Sequence, residues 1–141
     1  MNIKVVYHTM TGNTKKVAEA ISEAVGVPAE PVSESTVSGA IDILFIGDGV
    51  YGSKADNKTV SFIKSLSADK VRHAAVFGTY GGQKKAITHM KELLKQQGIN
   101  VVDESFGCKG KSWWIINRKH PDAQDLNTAK EFAKGVLAKL G

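Results

Sequence analysis

Short apolar runs alternate along this chain with longer segments in which apolar residues recur every three or four positions. The runs predict five strands, at Ile3 to His8, about Ala29 to Val32, Ile41 to Gly47, Ala74 to Tyr80 and Ile99 to Phe106. Within the third and fourth runs, the residues from Ile41 to Ile46 and from Ala74 to Phe77 look continuously apolar rather than alternating, so both faces of those strands should be buried. This alternation is typical of a parallel sheet that helices cover on both faces.

Four amphipathic segments predict helices, at Thr14 to Val25, Lys58 to Leu66, Gln83 to Gln97 and Asp122 to Leu140. Gly26 and Gly98 stand where helix C-caps are expected. The connection from Ser33 to Ala40 is short and rich in serine, which predicts a loop or a single turn. We therefore predict one α/β domain over residues 1–141: a three-layer, doubly wound, five-stranded parallel sheet in the order 2-1-3-4-5.

Composition narrows the class of protein. The 141 residues are 42% hydrophobic, enough for one full core. The single cysteine, Cys108, forms no internal disulfide and no C-x-x-C pair, which fits a reducing cytoplasm. No leader pattern and no membrane-length apolar run is visible. The net charge is +5, but the basic residues are spread along the chain, which argues against nucleic-acid binding.

The first strand leads directly into a loop of small hydroxyl residues and one glycine. A helix that starts just after the loop points free backbone N–H groups and the positive end of its dipole into it. This geometry favours a bound phosphate, whereas the loop matches neither the Walker pattern nor the G-x-G-x-x-G pattern. The alternative is that the loop only forms a turn and caps the helix. The candidate phosphate-binding residues are Thr9, Met10, Thr11, Gly12, Asn13 and Thr14.

Two loops that combine glycine and tyrosine follow the third and fourth strands, and both leave the same edge of the predicted sheet. A flat apolar ring needs an aromatic or thioether surface on each face and backbone amides along its polar rim. These loops can provide both, although glycine and tyrosine also suit simple tight turns. The candidate residues are Gly49, Val50, Tyr51 and Gly52 in the first loop, and Thr79, Tyr80, Gly81 and Gly82 in the second.

The segment from Thr9 to Thr14 resembles the T/S-x-T-G-x-T phosphate loop of the flavodoxins, and the later loops extend the resemblance over almost the whole chain. The resemblance implies non-covalent binding of flavin mononucleotide (FMN). It places Tyr51 against one ring face, and it places Gly52 where a peptide reorients on reduction. Many short flavodoxins continue with a Trp that stacks on the outer face, where this chain has Gly82. That departure leaves the outer face to Tyr80 or to another group.

Residues Gly107 to Pro121 form a longer connection than short flavodoxins have. Trp113 or Trp114 in it could cover the flavin or form a partner surface, or both could simply pack under the loop. Two other classes of protein share this topology. Small phosphatases carry a C-x5-R motif directly after the first strand, but this chain has no cysteine there, and Cys108 is not followed by an arginine at that spacing. Receiver domains carry an acidic pair after the first strand, where this chain has His8 and Thr9. His8 is interpreted as a packed residue at a strand end, without a chemical role.

The resemblance implies an electron carrier that passes single electrons between partner proteins, with no catalytic side chain and no metal. The alternative is an FMN-dependent reductase of the same fold, which would take hydride from a nicotinamide and reduce a quinone-type molecule. We expect a monomer, and an acidic docking face on the redox partner. That last expectation depends on the basic residues in or beside the loops of the predicted site, which are Lys54, Lys84, Lys85, Lys109, Lys111, Arg118 and Lys119.

Overall fold

A computed structural model describes residues 1–9, 12–34, 37, 39–50, 55–80, 85–109 and 121–140, and it describes only the backbone of residues 34, 50, 80, 85, 86, 108 and 109. The strands are β1 (Ile3–His8), β2 (Ala29–Pro31), β3 (Ile41–Val50), β4 (Val71–Tyr80) and β5 (Asn100–Lys109). They form one parallel sheet in the order β2-β1-β3-β4-β5. This arrangement confirms the predicted fold class and strand order.

Helices cover both faces of the sheet. They are α1 (Asn13–Val25), α2 (Asn57–Lys64), α3 (Lys85–Gln96) and α4 (Ala123–Leu140), and a single 3-10 turn (Val32–Glu34) follows β2. One core lies under α1 and α4, around Phe45 and Phe77, and a second lies under α2 and α3, around Leu44 and Met90. Within the described ranges, no helix is long and apolar enough to cross a membrane.

Several predicted element ends were wrong by a few residues. β4 begins at Val71 rather than Ala74, because Val71 pairs with Ile41 and the intervening Arg72 and His73 hide the apolar pattern. β3 and β5 likewise run three residues further than predicted, to Val50 and Lys109. The end of β2 and the start of β5 each differ from the prediction by one residue, and the remaining differences, of one or two residues, lie at helix ends.

Two glycines allow the carboxyl ends of β3 and β4 to pack closely. A Cβ at Gly47 would lie 2.1 Å from the ring of Phe77, so that ring rests directly on the backbone of β3. A Cβ at Gly78 would lie 3.0 Å from the carbonyl oxygen of Asp48. This close approach fixes the edge of the sheet from which the predicted functional loops leave.

Candidate functional site

Every buried polar side chain in the described part of the chain lies at the carboxyl end of the sheet. Burial of polar groups is costly unless they find hydrogen-bond partners, so a cluster of them at one end needs an explanation beyond packing. The five residues are Asn13, Thr14, Asp48, Thr59 and Thr79.

The loop between β1 and α1 turns tightly at Gly12. Its backbone N–H donates to Thr9 Oγ1 at 2.9 Å, and its φ of 90° lies in the left-handed region that favours glycine. A Cβ built at Gly12 would meet no described residue within 4 Å, so the described residues leave open space beside it. Gly12 is also the N-cap of α1 and makes no side-chain cap, which leaves the positive end of the helix available to an anion.

Asn13 is the first residue of α1 and holds an unused hydrogen-bond donor. The residue is 5% exposed, and Nδ2 has no hydrogen-bond partner among the described residues. A buried donor without an acceptor costs about 1 to 3 kcal/mol. Phosphate oxygens at this helix end would accept from Nδ2 and remove that cost. The loop therefore fits a phosphate by its donors, its backbone shape and its open space.

A hydrogen bond between two threonines ties this loop to the far side of the site. Thr14 Oγ1 and Thr79 Oγ1 lie 2.7 Å apart, and both side chains are buried. Thr79 of β4 is in register with Gly49 of β3. The structure thus brings together residues of all three segments that the sequence analysis selected.

A second buried polar cluster stands beside this loop and is centred on Asp48. Its side chain is fully buried, and Oδ2 accepts the backbone N–H of Asp56 at 2.7 Å. Asp48 Oδ1 lies 3.1 Å from His8 Nδ1, while His8 Nε2 lies 3.6 Å from Asp56 Oδ2. His8 is consequently held between two carboxylates, with both ring nitrogens directed at them.

Burial raises the pKa of the Asp48 carboxyl above its ordinary value, and the Asp56 N–H, Thr59 and His8 partly offset that rise. The Thr59 hydroxyl stands beside the carboxylate without a hydrogen bond of good geometry. Asp48 therefore holds backbone and imidazole groups at the end of β3, and it is not accessible as a phosphate acceptor of the receiver type.

Sequence reasoning missed this cluster. His8 is more than a packed strand-end residue, because it bonds to Asp48 in the register position opposite it on the neighbouring strand. The signal was present in the sequence: each residue ends an apolar run, and parallel strands bring such ends together.

The structure leaves part of the predicted site untested. Of Val50 and Tyr80 it gives only the backbone, in which the two residues pair across β3 and β4. The predicted ring contacts of these side chains stay predictions. The predicted site residues that lie outside the described residues are Met10, Thr11, Tyr51, Gly52, Gly81 and Gly82, and Trp113 and Trp114 lie there too.

Comparison with known proteins assigns the family. The profile of the flavodoxin domain matches residues 4–117. A flavodoxin of Clostridium beijerinckii is 30% identical over 145 residues, a match that covers 95% of this chain and 98% of that protein. The chain belongs to the flavodoxin family. The fold and these relatives support binding of a flavin, and the loop at Gly12 and Asn13 fits the phosphate end of such a cofactor.

Two further similarities concern the fold and the occurrence of this domain in longer proteins. A solved archaeal flavodoxin superimposes with a TM-score of 0.85 at 23% identity, over 99% of each chain, which supports the fold. The coenzyme F420H(2) oxidase of Methanothermobacter marburgensis is 34% identical over 156 residues, which span 98% of this chain but only 36% of the oxidase. The same kind of domain therefore also occurs within a longer redox enzyme.

Proposed function

We propose that this chain binds FMN and carries single electrons between partner proteins. The observation that carries the proposal is the cradle at the start of α1: among the described residues, nothing fills the space beside Gly12 and nothing accepts from the buried donor of Asn13. FMN has a terminal phosphate that can supply the missing acceptor, whereas riboflavin has none. FMN is therefore a better match to this loop than a flavin without a phosphate.

The chemistry of electron transfer belongs to the flavin, which can take up and release electrons one at a time. The residues of this chain bind and orient the cofactor. Thr9 shapes the phosphate loop, and the bond between Thr14 and Thr79 holds that loop against β4. By the family resemblance, Tyr51 would contact one face of the ring, and Tyr80 is our candidate for the outer face.

A carrier fits the described site better than a self-sufficient enzyme, because no described side chain stands ready for proton transfer to a substrate. The imidazole of His8 is occupied by Asp48 and Asp56. The runner-up is a flavin-dependent reductase, for which the replacement of a stacking Trp by Gly82 would provide room above the ring. The similarity to an oxidase covers 36% of that protein, so oxidase activity is not inferred for this chain.

The test is to purify the protein, identify any flavin that it releases, and then add NADH or NADPH with and without a separate reductase. We expect FMN, and reduction of the bound flavin only when the reductase is present. Steady consumption of nicotinamide by the protein alone would favour the reductase. Failure to bind FMN, even after reconstitution, would overturn both the electron-carrier proposal and the reductase alternative.

We also propose that the redox partner presents an acidic face to the flavin edge. The net charge is +5, and α1 and α2 begin at this edge with exposed lysines, namely Lys15, Lys16 and Lys58. Charge complementarity of this kind mainly raises the rate of association and makes it depend on salt. Charge reversal at Lys15 and Lys16 should slow electron transfer to an acidic partner at low salt.

A matched control for that charge reversal stands at the opposite end of the sheet, where Lys70 and Arg72 are exposed at the start of β4. Reversal of these two charges changes the net charge by the same amount. It should therefore leave the transfer rate near that of the parent protein. Equal slowing by the two double variants would mean that total charge, and not a docking surface at the flavin edge, sets the rate.

A further inference from the structure

Two buried threonines join the first turn of α1 to the carboxyl end of β4. Thr14 Oγ1 and Thr79 Oγ1 lie 2.7 Å apart, and at most 2% of either residue is exposed. Among the described residues, neither hydroxyl has another hydrogen-bond partner. Because burial also keeps water away, each of these hydroxyls depends on the other within that part of the chain.

Both threonines continue a face that is otherwise apolar. On β4, Thr79 lies two residues after Phe77 and so on the same side of the sheet, the side that packs under α1 and α4. On α1, Thr14 begins the buried stripe that continues with Val17 and Ile21. Valine has the same branched shape and could fill either position without burying a polar group. Packing alone therefore does not explain why both positions carry a hydroxyl.

The place of this pair in the proposed phosphate site suggests what the hydroxyls do. Thr14 follows Asn13, whose buried Nδ2 is a donor that no described residue accepts. Both residues belong to the first turn of α1, where the positive end of the helix favours an anion. A phosphate bound there would accept hydrogen bonds from the side chains of this turn.

The proton count of a hydroxyl fixes the direction of the hydrogen bond between the threonines once a phosphate is bound. Each hydroxyl carries a single proton to donate, and its oxygen can also accept. If Thr14 donates to the phosphate, it has no proton left for Thr79. The contact of 2.7 Å then requires Thr79 to donate to Thr14. In that arrangement both protons are used, and they run in sequence from Thr79 to Thr14 to the phosphate.

This arrangement should favour phosphate binding for two physical reasons. A hydroxyl that accepts a hydrogen bond becomes a better donor, because hydrogen bonds in a chain polarise one another. A hydroxyl that is already held in place also loses less freedom when the ligand arrives. Without Thr79 as a donor, the Thr14 hydroxyl loses its fixed orientation.

We propose that Thr79 is a positioning residue for the phosphate loop, and that its hydroxyl donates to Thr14 and so directs the Thr14 proton to the phosphate of the flavin. The proposal rests on the proposed function, because it takes Thr14 as a phosphate contact. The side chain of Thr79 would then contribute to the preference for a phosphorylated flavin without touching the flavin itself.

Three variants separate the hydroxyl from the rest of the side chain. Thr79→Val keeps the branched shape and removes the hydroxyl, whereas Thr79→Ser keeps the hydroxyl and removes a methyl group. Thr59→Val is the matched control, because Thr59 is also buried at this end of the sheet and its hydroxyl has no hydrogen-bond partner among the described residues. Dissociation constants for FMN and for riboflavin are to be measured for the parent and the three variants. The ratio of the riboflavin constant to the FMN constant is the readout.

We expect Thr79→Val to lower this ratio about three- to tenfold through weaker FMN binding, the factor typical of one lost hydrogen bond. Thr79→Ser and Thr59→Val should keep the ratio of the parent. A ratio in Thr79→Val at or above that of the parent would overturn the proposal. Equal weakening of FMN and riboflavin would overturn it as well, because Thr79 would then only support the fold. A ratio in Thr79→Ser as low as that in Thr79→Val would assign the effect to the methyl group and likewise overturn the proposal.

A second readout uses the flavin-free protein and tests the hydrogen bond without a ligand. The losses of stability in Thr14→Val, Thr79→Val and the double variant are to be measured by urea unfolding. We expect the double variant to lose less than the sum of the single losses, because both single variants break the same bond. Additive losses would overturn the proposal even if the parent binds FMN. Coupled losses in a parent that binds FMN and riboflavin equally would keep the hydrogen bond and overturn the phosphate site on which the proposal rests.

Discussion

At each end of the sheet an aspartate accepts a backbone N–H at 2.7 Å, but the two carboxylates lie in different surroundings. At the amino end, Asp42 Oδ2 accepts from Asn2, and the contact is exposed to solvent. At the carboxyl end, Asp48 Oδ2 accepts from Asp56, and the Asp48 side chain is fully buried. The same kind of hydrogen bond is therefore exposed at one end, whereas at the other it is part-buried and its acceptor is a fully buried carboxylate.

The difference extends beyond these two residues. At the amino end, Asn2 Nδ2 also donates to the Ala40 carbonyl at 3.0 Å, so its exposed amide closes a chain connection. At the carboxyl end, polar side chains are buried, and the amide of Asn13 has a donor that no described residue accepts. Natural sequences usually keep local features consistent with the fold and depart from that rule at functional sites. The carboxyl end of the sheet, where polar groups are buried at a cost in free energy, is accordingly the end that we expect to bind a ligand.

The largest expected effect on folding stability is that of removing the Asp48 carboxylate, with removal of the Asp42 carboxylate as the comparison. Asp48→Ala leaves the Asp56 N–H and the His8 imidazole without their buried partner, which should lower the free energy of unfolding by about 2 to 4 kcal/mol. Asp42→Ala exposes its partner N–H to water and should cost at most about 1 kcal/mol. Urea unfolding of the flavin-free proteins measures both values. Equal losses would show that burial does not distinguish the two ends.

A smaller effect is expected from the two glycines that bracket α1. Gly12 at its start and Gly26 at its end have φ of 90° and 79°, and a Cβ at either would meet no residue of the described ranges within 4 Å. Replacement of either by Ala should therefore cost about 1 to 2 kcal/mol of backbone strain in the flavin-free protein. Urea unfolding measures these losses.

Flavin binding should separate the two glycine variants. Gly12→Ala should weaken FMN binding, because the strained loop contacts the phosphate in our account. Gly26→Ala, at the amino end of the sheet, should leave the affinity unchanged. Fluorescence titration with FMN decides the matter, and equal affinities for the two variants would place the phosphate elsewhere.

The smallest effect concerns pH and compares a buried with an exposed carboxylate. The pKa of Asp48 is raised, first of all by burial, so its contribution to stability is greatest below its ordinary pKa of 3.8 and is lost as the pH rises through the folded-state pKa. The free energy of unfolding of the parent, relative to Asp48→Asn, should fall as the pH rises above about 4. Urea unfolding from pH 3.5 to 7 tests this slope.

Glu104 provides the opposite case. Its pKa is lowered, first by its own backbone N–H and then by Lys139, whose Nζ lies 3.0 Å from Oε1. Its contribution should be present above its ordinary pKa of 4.5 and lost as the pH falls through the folded-state pKa. Relative to Glu104→Gln, the parent should therefore gain stability with rising pH. Slopes of the same sign for Asp48 and Glu104 would contradict the assigned causes.

Much of the fold could be predicted, because its signals are local. The continuous apolar run from Ile41 to Ile46 indicated a strand buried on both faces, and Ile43 to Ile46 are indeed buried. The start of β4 could not be predicted from a local apolar pattern. Arg72 is exposed and His73 half-buried, so that only the pairing of Val71 with Ile41 defines the strand there.

The site was predictable where one short segment carries it. The order of Thr9, Gly12 and Asn13 indicated a phosphate loop. The structure gives these residues the turn that such a loop needs, and a donor on Asn13 that no residue in the described ranges accepts. The pairing of His8 with Asp48 was not predicted, because it joins residues 40 positions apart. Contacts of that range follow from strand register, which the sequence pattern does not specify to one residue.

The central claim is that the start of α1 binds the phosphate of FMN, and a comparison of FMN with riboflavin tests it most directly. Both dissociation constants are to be measured for the parent and for Asn13→Leu, which removes the buried amide. We expect the parent to bind FMN at least about a hundredfold more tightly than riboflavin, from two or more charge-assisted hydrogen bonds, and Asn13→Leu to reduce that ratio about tenfold with little change for riboflavin. Equal affinities of the parent for FMN and riboflavin would contradict the account.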